Sequence, residues 1–349
     1  MKKTALITGS CGLVGSECVR FFSKKGFRVI GIDNDLRRFF FGDSASVKEN
    51  KLKLIEEAKD YLHFDLDIRN KDNLKKLFEE YKFDLIVHTA SQPSHDWAKD
   101  YPLIDFEVNT YATLNILENF REYSPRGVFI FTSTNKVYGD RVNGFSFLEL
   151  DKRYDLSAND PYYQGIDENF SIDSTLHSIF GADKLCADIL VQEYGRYFGL
   201  KTGVFRLGCI SGPYHKPAEL HGFLSYLVKC AVYNKEYTIY GYKGKQVRDN
   251  IHSYDLVTAF YYFYLNPKYG EVYNLGGGRH SNISILEAIE LVEKITKKKF
   301  RFCYLDSPRK GDHIWWITDN SKFRKDYPSF NLSYKVERIL EEIYQSYKT

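Results

Sequence analysis

The stretch Thr4-Ala5-Leu6-Ile7-Thr8-Gly9-Ser10-Cys11-Gly12-Leu13-Val14-Gly15 decides how the rest of the chain is read. A short apolar run ends in glycines spaced at intervals of three, and an amphipathic stretch, Val14–Lys25, begins at once. That is a strand, a tight turn and a helix start. Gly9 suits the turn, Gly12 lets backbone approach a pyrophosphate, and Gly15 allows close helix packing. The amides of Cys11, Leu13 and Val14 lie where a helix N-terminus stabilises phosphate charge. A dinucleotide is the expected ligand.

The next run, Arg28–Asp33, ends on a carboxylate, with Asn34 beside it. An acid at this place accepts hydrogen bonds from adenosine ribose hydroxyls and repels a 2'-phosphate, which favours NAD over NADP. Arg37 and Arg38 follow closely and weigh the other way. Asp67-Ile68, after a third run at Leu62–Asp65, can address the adenine amino group and ring face, or Asp67 can simply bond to its own turn. Asn109, ahead of a good helical stretch, can hold the nicotinamide side or act as a cap.

Farther out the pattern repeats. Strand candidates at Asp84–Thr89, Val128–Thr132 and Lys201–Phe205 alternate with helical candidates at Asn73–Tyr81, Tyr111–Tyr123 and Ala182–Phe198. Such alternation predicts an α/β fold, a Rossmann doubly wound parallel sheet. A returning strand, Glu271–Leu275, and a helix, Ile283–Thr296, belong to the mixed C-terminal part. We expect an NAD-binding domain over 1–212 with a return segment at about 245–276. A smaller mixed α/β substrate lobe is expected over 213–244 and 277–349, covering the carboxyl edge of the sheet. Between Gly139 and His177 the alternation fails, and long irregular segments in compact enzymes are commonly functional.

Composition excludes several classes. With 49 basic and 46 acidic side chains the net charge is only +3, too small for a polyanion-binding field. The one basic run, Lys297-Lys298-Lys299-Phe300-Arg301, reads as a solvated helix end, so no nucleic-acid partner is expected. The cysteines Cys11, Cys18, Cys186, Cys209, Cys230 and Cys303 form no C-x-x-C pair, which points to reduced thiols and no metal site. After Met1-Lys2-Lys3 the apolar run is too short for a signal peptide, and no segment approaches membrane-span length. A cytoplasmic protein without a membrane partner is the expectation.

The chain resembles the extended short-chain dehydrogenase/reductases, the group of nucleotide-sugar epimerases, dehydratases and reductases, almost end to end. The resemblance rests on the glycine turn, Asp67-Ile68-Arg69, His88-Thr89-Ala90-Ser91-Gln92, Asn109, Ser133-Thr134-Asn135-Lys136-Val137-Tyr138-Gly139, Lys184, Arg206, Arg248-Asp249 and Arg309-x-Gly311-Asp312. Ser133 to Asp140 and Lys245 to Asp249 most resemble the CDP-tyvelose (CDP-paratose) 2-epimerase branch. The resemblance implies tightly bound NAD and oxidation, transient or net, of a sugar hydroxyl. Thr134 then matches the hydroxyl residue that holds the sugar oxygen, and Lys184 the lysine that holds the nicotinamide ribose. Thr89, Ala90 and Ser91 match backbone passing the pyrophosphate, and Thr132 and Leu207 the nicotinamide side. Asn135, Lys136, Arg248, Arg309 and Asp312 match the substrate grip, although Cys209 replaces a frequent diphosphate-binding Asn. Helices Tyr111–Tyr123 and Ala182–Phe198 match those that join two subunits in a four-helix bundle, implying a homodimer. Leu185, Ile189, Leu190 and Tyr194 of the second can equally be core positions.

One departure dominates. The family's Tyr-x-x-x-Lys reads Phe180-Gly181-Ala182-Asp183-Lys184, and a phenyl ring cannot exchange a proton. Another base is needed, His177, Tyr162, Tyr163 or Lys184 itself, or slower chemistry through Thr134 and water, or catalysis is lost and only binding remains. The acid pair by which dehydratases of this group eliminate water is replaced by Asn135 and Lys136, which argues against a 4,6-dehydratase. The Tyr-to-Phe change also resembles the GDP-manno-heptose C4 dehydrogenases of capsular heptose biosynthesis. Net oxidation to a keto sugar is therefore expected ahead of epimerisation, with a silent NAD-binding sensor as the reading from another class.

Overall fold

The computed structural model describes residues 2–219 and 221–348. Seven strands, β1 (Thr4–Thr8), β2 (Arg28–Ile32), β3 (Tyr61–Phe64), β4 (Leu85–His88), β5 (Val128–Thr134), β6 (Lys201–Leu207) and β7 (Glu271–Leu275), lie in the order β7-β6-β5-β4-β1-β2-β3. β1 pairs in parallel with β2 and β4, β2 with β3, and β4 with β5. The order reverses between β1 and β4, the crevice where doubly wound sheets take their ligands. The expected parallel Rossmann sheet is the fold.

Strands buried on both faces read as continuous apolar runs. Leu6, Ile30, Ile86, Phe129 and Val204 accordingly share one core with Leu74, Phe78, Ile116, Phe120, Ala187 and Val191 from the flanking helices. Each of the Leu, Ile, Val and Phe side chains contributes about 1.5–3 kcal/mol on burial. Tyr194 is part of this core and Leu190 packs on it, whereas Ile189 is exposed. No helix among the described residues is long and apolar enough to cross a membrane.

The chain divides into two compact units. The first comprises Met1–Thr134, Ile179–Arg206 and Val257–Tyr273, and the second comprises Asn135–Ser178, Leu207–Leu256 and Asn274–Thr349. Asn135–Ser178 thus groups with the second unit, not with the rest of the 1–212 span. In that unit the helices Phe223–Tyr233, Ile285–Thr296 and Val336–Gln345 share a core of Leu224, Leu227, Ile289, Val292, Ile339 and Leu340. The Ile285–Thr296 helix starts with a capping box, Ser284 bonding the Glu287 amide and Glu287 the Ser284 amide. Among the helices and strands, residues 139–177 contain only the 3-10 turn Arg141–Gly144 and the two-residue strands Leu148–Glu149 and Tyr154–Asp155.

One buried network fixes the long helix Ser178–Phe198 against the sheet. Asp188, with no exposure to water, accepts from Ser133 Oγ at 2.6 Å and Gln192 Nε2 at 2.6 Å. It also takes Arg206 Nε at 2.9 Å and a second guanidinium nitrogen at 3.0 Å. Removing one partner of a buried ion pair leaves the other charge uncompensated. Asp188→Ala should therefore cost about 3–5 kcal/mol in denaturant unfolding, against a smaller loss for Asp188→Asn, which keeps one acceptor.

Candidate active site

The glycine turn has the form its spacing predicts. Gly9 adopts φ +64°, and a Cβ there would stand 2.9 Å from the Ala90 backbone. A Cβ on Gly15 would lie 2.0 Å from the Gly9 carbonyl oxygen, whereas one on Gly12 meets only that oxygen, at 3.4 Å. Gly9 and Gly15 are thus required by the protein's own backbone, and Gly12 faces space. No side chain caps the Leu13–Lys24 helix, so the first-turn amides of Leu13, Val14 and Gly15 remain for an anion. Thr8 Oγ1 accepts from the amides of Thr89 and Ala90, both at 3.1 Å, and bonds His88 Nδ1 at 2.6 Å. That bracket holds the turn after β4 beside the turn after β1. Ser91 follows it, partly exposed.

Asp33, at the end of β2, accepts from the Cys11 amide at 2.9 Å and the Asp35 amide at 2.9 Å. Burial nevertheless pushes its carboxyl above the ordinary range. Burial also pushes the Cys11 thiol up to about 12, so it stays protonated. Asp67 bonds the Arg69 amide of its own turn at 2.9 Å, and takes the Arg69 guanidinium at 2.7 Å and the exposed Asn34 amide at 3.0 Å. Burial alone would raise Asp67, but these donors outweigh it and hold the carboxyl low. The Ile68 side chain belongs to the core cluster.

Asn109 is not a helix cap. It sits inside a π-helical turn, Glu107–Tyr111, and its amide pairs with both backbone groups of Gln92 at 3.0 and 3.1 Å. A spacing read at 3.6 residues per turn does not reveal such a bulge, although π-bulges favour functional sites.

Thr134 ends β5, and Lys184 rises from the Ser178–Phe198 helix with Phe180 one turn before it. The helix starts earlier than its sequence pattern indicates, so Phe180 lies inside it. Lys184 Nζ donates to the Thr132 carbonyl at 2.8 Å and lies 4.1 Å from the Phe131 ring centre. Thr132 Oγ1 in turn donates to the His88 carbonyl at 3.1 Å. Burial pushes Lys184 down to about 7, against the opposing pull of Asp188 and Asp105. Phe180 is buried at 8 % exposure, so no hydroxyl stands one turn from the amine.

In the second unit, Lys136, Arg248, Arg309 and Asp312 form one cluster. Arg309 bonds Asp312 at 3.1 and 3.3 Å, and Arg248 approaches Asp312 at 3.8 Å. Lys136 Nζ donates to the Gly311 carbonyl at 2.6 Å. Burial, with Arg248 and Arg309 nearby, pushes Lys136 down to about 8 despite Asp312. Three cationic side chains against one carboxylate leave a surplus suited to a diphosphate. Asn135 is buried in this unit, Leu207 is buried at the end of β6, and burial pushes the Cys209 thiol up to about 11.

The other candidate bases differ from one another. Tyr162 stacks on Phe145 at 5.2 Å, and the Tyr163 ring lies under the Arg279 guanidinium at 3.9 Å, so both are packing residues. His177 keeps a buried Nδ1 without a hydrogen-bond partner. Sequence reading passed over the Asp188–Arg206 network and the contact of Asp105 with Gln92 and Asn109, since no local motif marks them.

The sequence profile of the NAD dependent epimerase/dehydratase family matches residues 5–276. The chain belongs to that family, and NAD is its cofactor. It is 33% identical over 324 residues to the CDP-paratose 2-epimerase of Salmonella typhi, covering 91% of each chain. It is 28% identical over 334 residues to the dTDP-glucose 4,6-dehydratase of Salmonella typhimurium, covering 92% of this chain and 86% of that one. Among solved structures, the UDP-glucuronic acid 4-epimerase from Bacillus cereus, in complex with UDP-glucuronic acid and NAD, superposes with a TM-score of 0.80 at 25% identity over 99% of both chains.

The glycine contacts separate folding from cofactor binding. Gly15→Ala should lower stability by about 1–3 kcal/mol through overpacking. Gly12→Ala should leave the melting temperature of the cofactor-free protein unchanged while weakening NAD binding at least about tenfold, since only ligand approach is obstructed. Thermal melts and calorimetric NAD titration check both.

Proposed function

We propose that the protein oxidises a hydroxyl of a nucleotide-activated sugar and releases the keto sugar. The observation that carries this reading is Lys184, a buried amine shifted to about 7 with Phe180 in place of a phenol one turn away. A lysine in that state is substantially neutral near physiological pH and can accept a proton itself.

NAD, when bound, supplies the acceptor for the hydride that leaves the sugar carbon. In the first unit the amides of Leu13, Val14 and Gly15 hold the pyrophosphate, with Gly9, Gly12, Ala90 and Ser91 leaving room for it. Asp33 and Asn34 take the adenosine ribose, and Asp67 and Ile68 bound the adenine. Asn109 and Thr132 fix the backbone on the nicotinamide side. Thr134 orients the sugar oxygen and the Lys184 amine takes its proton. In the second unit Lys136, Arg248 and Arg309 hold the diphosphate, and Asp312 and Asn135 take nucleoside and sugar hydroxyls.

Net oxidation is favoured because an epimerase must also return a proton, and the side chain usually placed to carry it both ways is absent. The Phe180 replacement favours GDP-manno-heptose oxidised at C4, for capsule or surface polysaccharide, through the resemblance noted above. Epimerisation is the second reading, supported by the 33% identity with the CDP-paratose 2-epimerase. A homodimer through the helices ending at Tyr123 and Phe198 is part of the proposal, and Ile189 and Tyr197 are exposed apolar side chains on the second. Sedimentation equilibrium tests it.

Holoenzyme incubated with GDP-manno-heptose and with CDP-sugars decides between the readings. A keto product lighter by two hydrogens, formed as NADH accumulates, is expected. An isomer of unchanged mass would return the assignment to epimerase, and intact NAD without turnover to a silent sensor. Lys184→Met should lower kcat by about 10²–10⁴. Because the neutral amine is the active form, kcat/KM of the unmodified enzyme should rise with pH through about 7.

A further inference from the structure

Two carboxyl groups in the first unit, Asp105 and Asp183, lie side by side. Asp105, at no exposure, lies on the short helix Pro102–Phe106, and Asp183 on the Ser178–Phe198 helix immediately before Lys184. Asp105 Oδ1 accepts from Gln92 Nε2 at 2.6 Å and Asn109 Nδ2 at 3.0 Å. Its Oδ2 is buried with no donor, and so is Asp183 Oδ2. The two side chains are within hydrogen-bond reach of one another. Two ionised carboxylates at that separation repel and leave both orphan oxygens unsatisfied, whereas one proton between them satisfies both. The two amide donors fix the charge on Asp105, so the proton resides on Asp183.

We propose that Asp105 and Asp183 share one proton, and that this carboxyl–carboxylate pair is a proton-linked positioning element for Lys184. The pair is one end of a brace. From Asp183 it runs through Asp105 to Gln92 and Asn109, the residues that shape the turn after β4 and the π-helical turn. Thr110 Oγ1 adds a second tie, donating to the Asp183 carbonyl at 2.8 Å. While the proton is held, the helix carrying Lys184 is joined to those turns. When it leaves, like charges separate the two sides, and the added negative charge favours the ammonium form of Lys184.

The charged and titratable groups around the pair are few. On the same helix stand Lys184, which is sensitive to the charge of Asp105, Asp188, which is held by Arg206, and Cys186, whose thiol Asp183 helps to raise. Gln92, Asn109 and Thr110 face it from the other side and are neutral. Burial and the charge of Asp105 push Asp183 well above the ordinary carboxyl range, in keeping with a retained proton.

The effect on Lys184 rests on the function proposed above, but the shared proton does not, and the two are measured separately. Unfolded Asp183 ionises near the ordinary 3.8, whereas the folded protein keeps that proton to higher pH. Stability from this group is therefore full below that value and is lost as pH rises towards neutrality. Asn at position 183 donates to Asp105 at every pH and carries no proton to lose. In the holoenzyme, Asp183→Asn should make the fall in melting temperature between about pH 4 and about pH 7 measurably shallower than in the unmodified protein, other raised carboxyls such as Asp249 supplying the remainder. The Lys184-dependent limb of kcat/KM should move down by about one pH unit, since no carboxylate appears beside the amine. Parallel melting curves for the two proteins would overturn the shared proton. Infrared difference spectra of the unmodified holoenzyme with isotope-labelled aspartate keep the shared proton falsifiable even if the variant does not fold. A protonated aspartate band persisting at about pH 6 is expected, and its absence overturns the proposal. If no sugar is oxidised, the melts and spectra still judge the pair. If oxidation occurs with an unmoved pH limb, the link to Lys184 falls.

Discussion

Asp188 accepts four hydrogen bonds in a place water does not reach, and the working side of the first unit hangs on that satisfaction. Its partners come from β5, from β6 and from the next turn of its own helix. An uncompensated charge there would be costly, so the helix has one rotation about its axis at which Asp188 meets both Ser133 and Arg206. That rotation also directs Lys184, four residues earlier, onto the Thr132 carbonyl. The amine's burial, and hence its low proton affinity, is inherited from an ion pair that never touches a ligand.

Burial acts in opposite senses on the groups of this molecule, and that contrast gives the site its chemistry. It discourages the ammonium of Lys184 and Lys136 and the thiolate of Cys11 and Cys209. Neutral His88, pushed down to about 3 by burial and by Lys184, can serve only as a hydrogen-bonding strut between Thr8 and Thr113. Phe180 offers no hydroxyl one turn from Lys184, and the charges of Asp188 and Asp105 do not outweigh the burial that lowers the amine.

The sheet was legible because buried parallel strands are written as unbroken apolar runs. β1 and β7 have the bounds their sequence indicates, and β5 and β6 only run two residues farther. The helix Lys48–Glu57 escaped reading because it buries only Asn50 and Leu54, too few inward residues to show a period. The glycine turn was legible as a motif whose geometry follows from local spacing, and Lys184 through the resemblance to the family. Asp183 was not, since an acidic residue on an amphipathic helix ordinarily faces solvent, and its partner Asp105 is remote in sequence. The π-helical placement of Asn109 was hidden for a different reason. Its residues satisfy an ordinary helical pattern equally well.

The contact between Gly15 and the Gly9 carbonyl bears on how this chain can change over generations. A turn whose fit is made by missing side chains offers natural selection almost nothing to adjust there, because any replacement at either position collides with backbone. A drift in cofactor preference has to be written elsewhere, at the end of β2, where the arginines after Asp33 lie clear of the turn and Asp33 itself touches it only through the Cys11 amide. The loop that makes dinucleotide binding possible is therefore the part of the cofactor site least able to diversify.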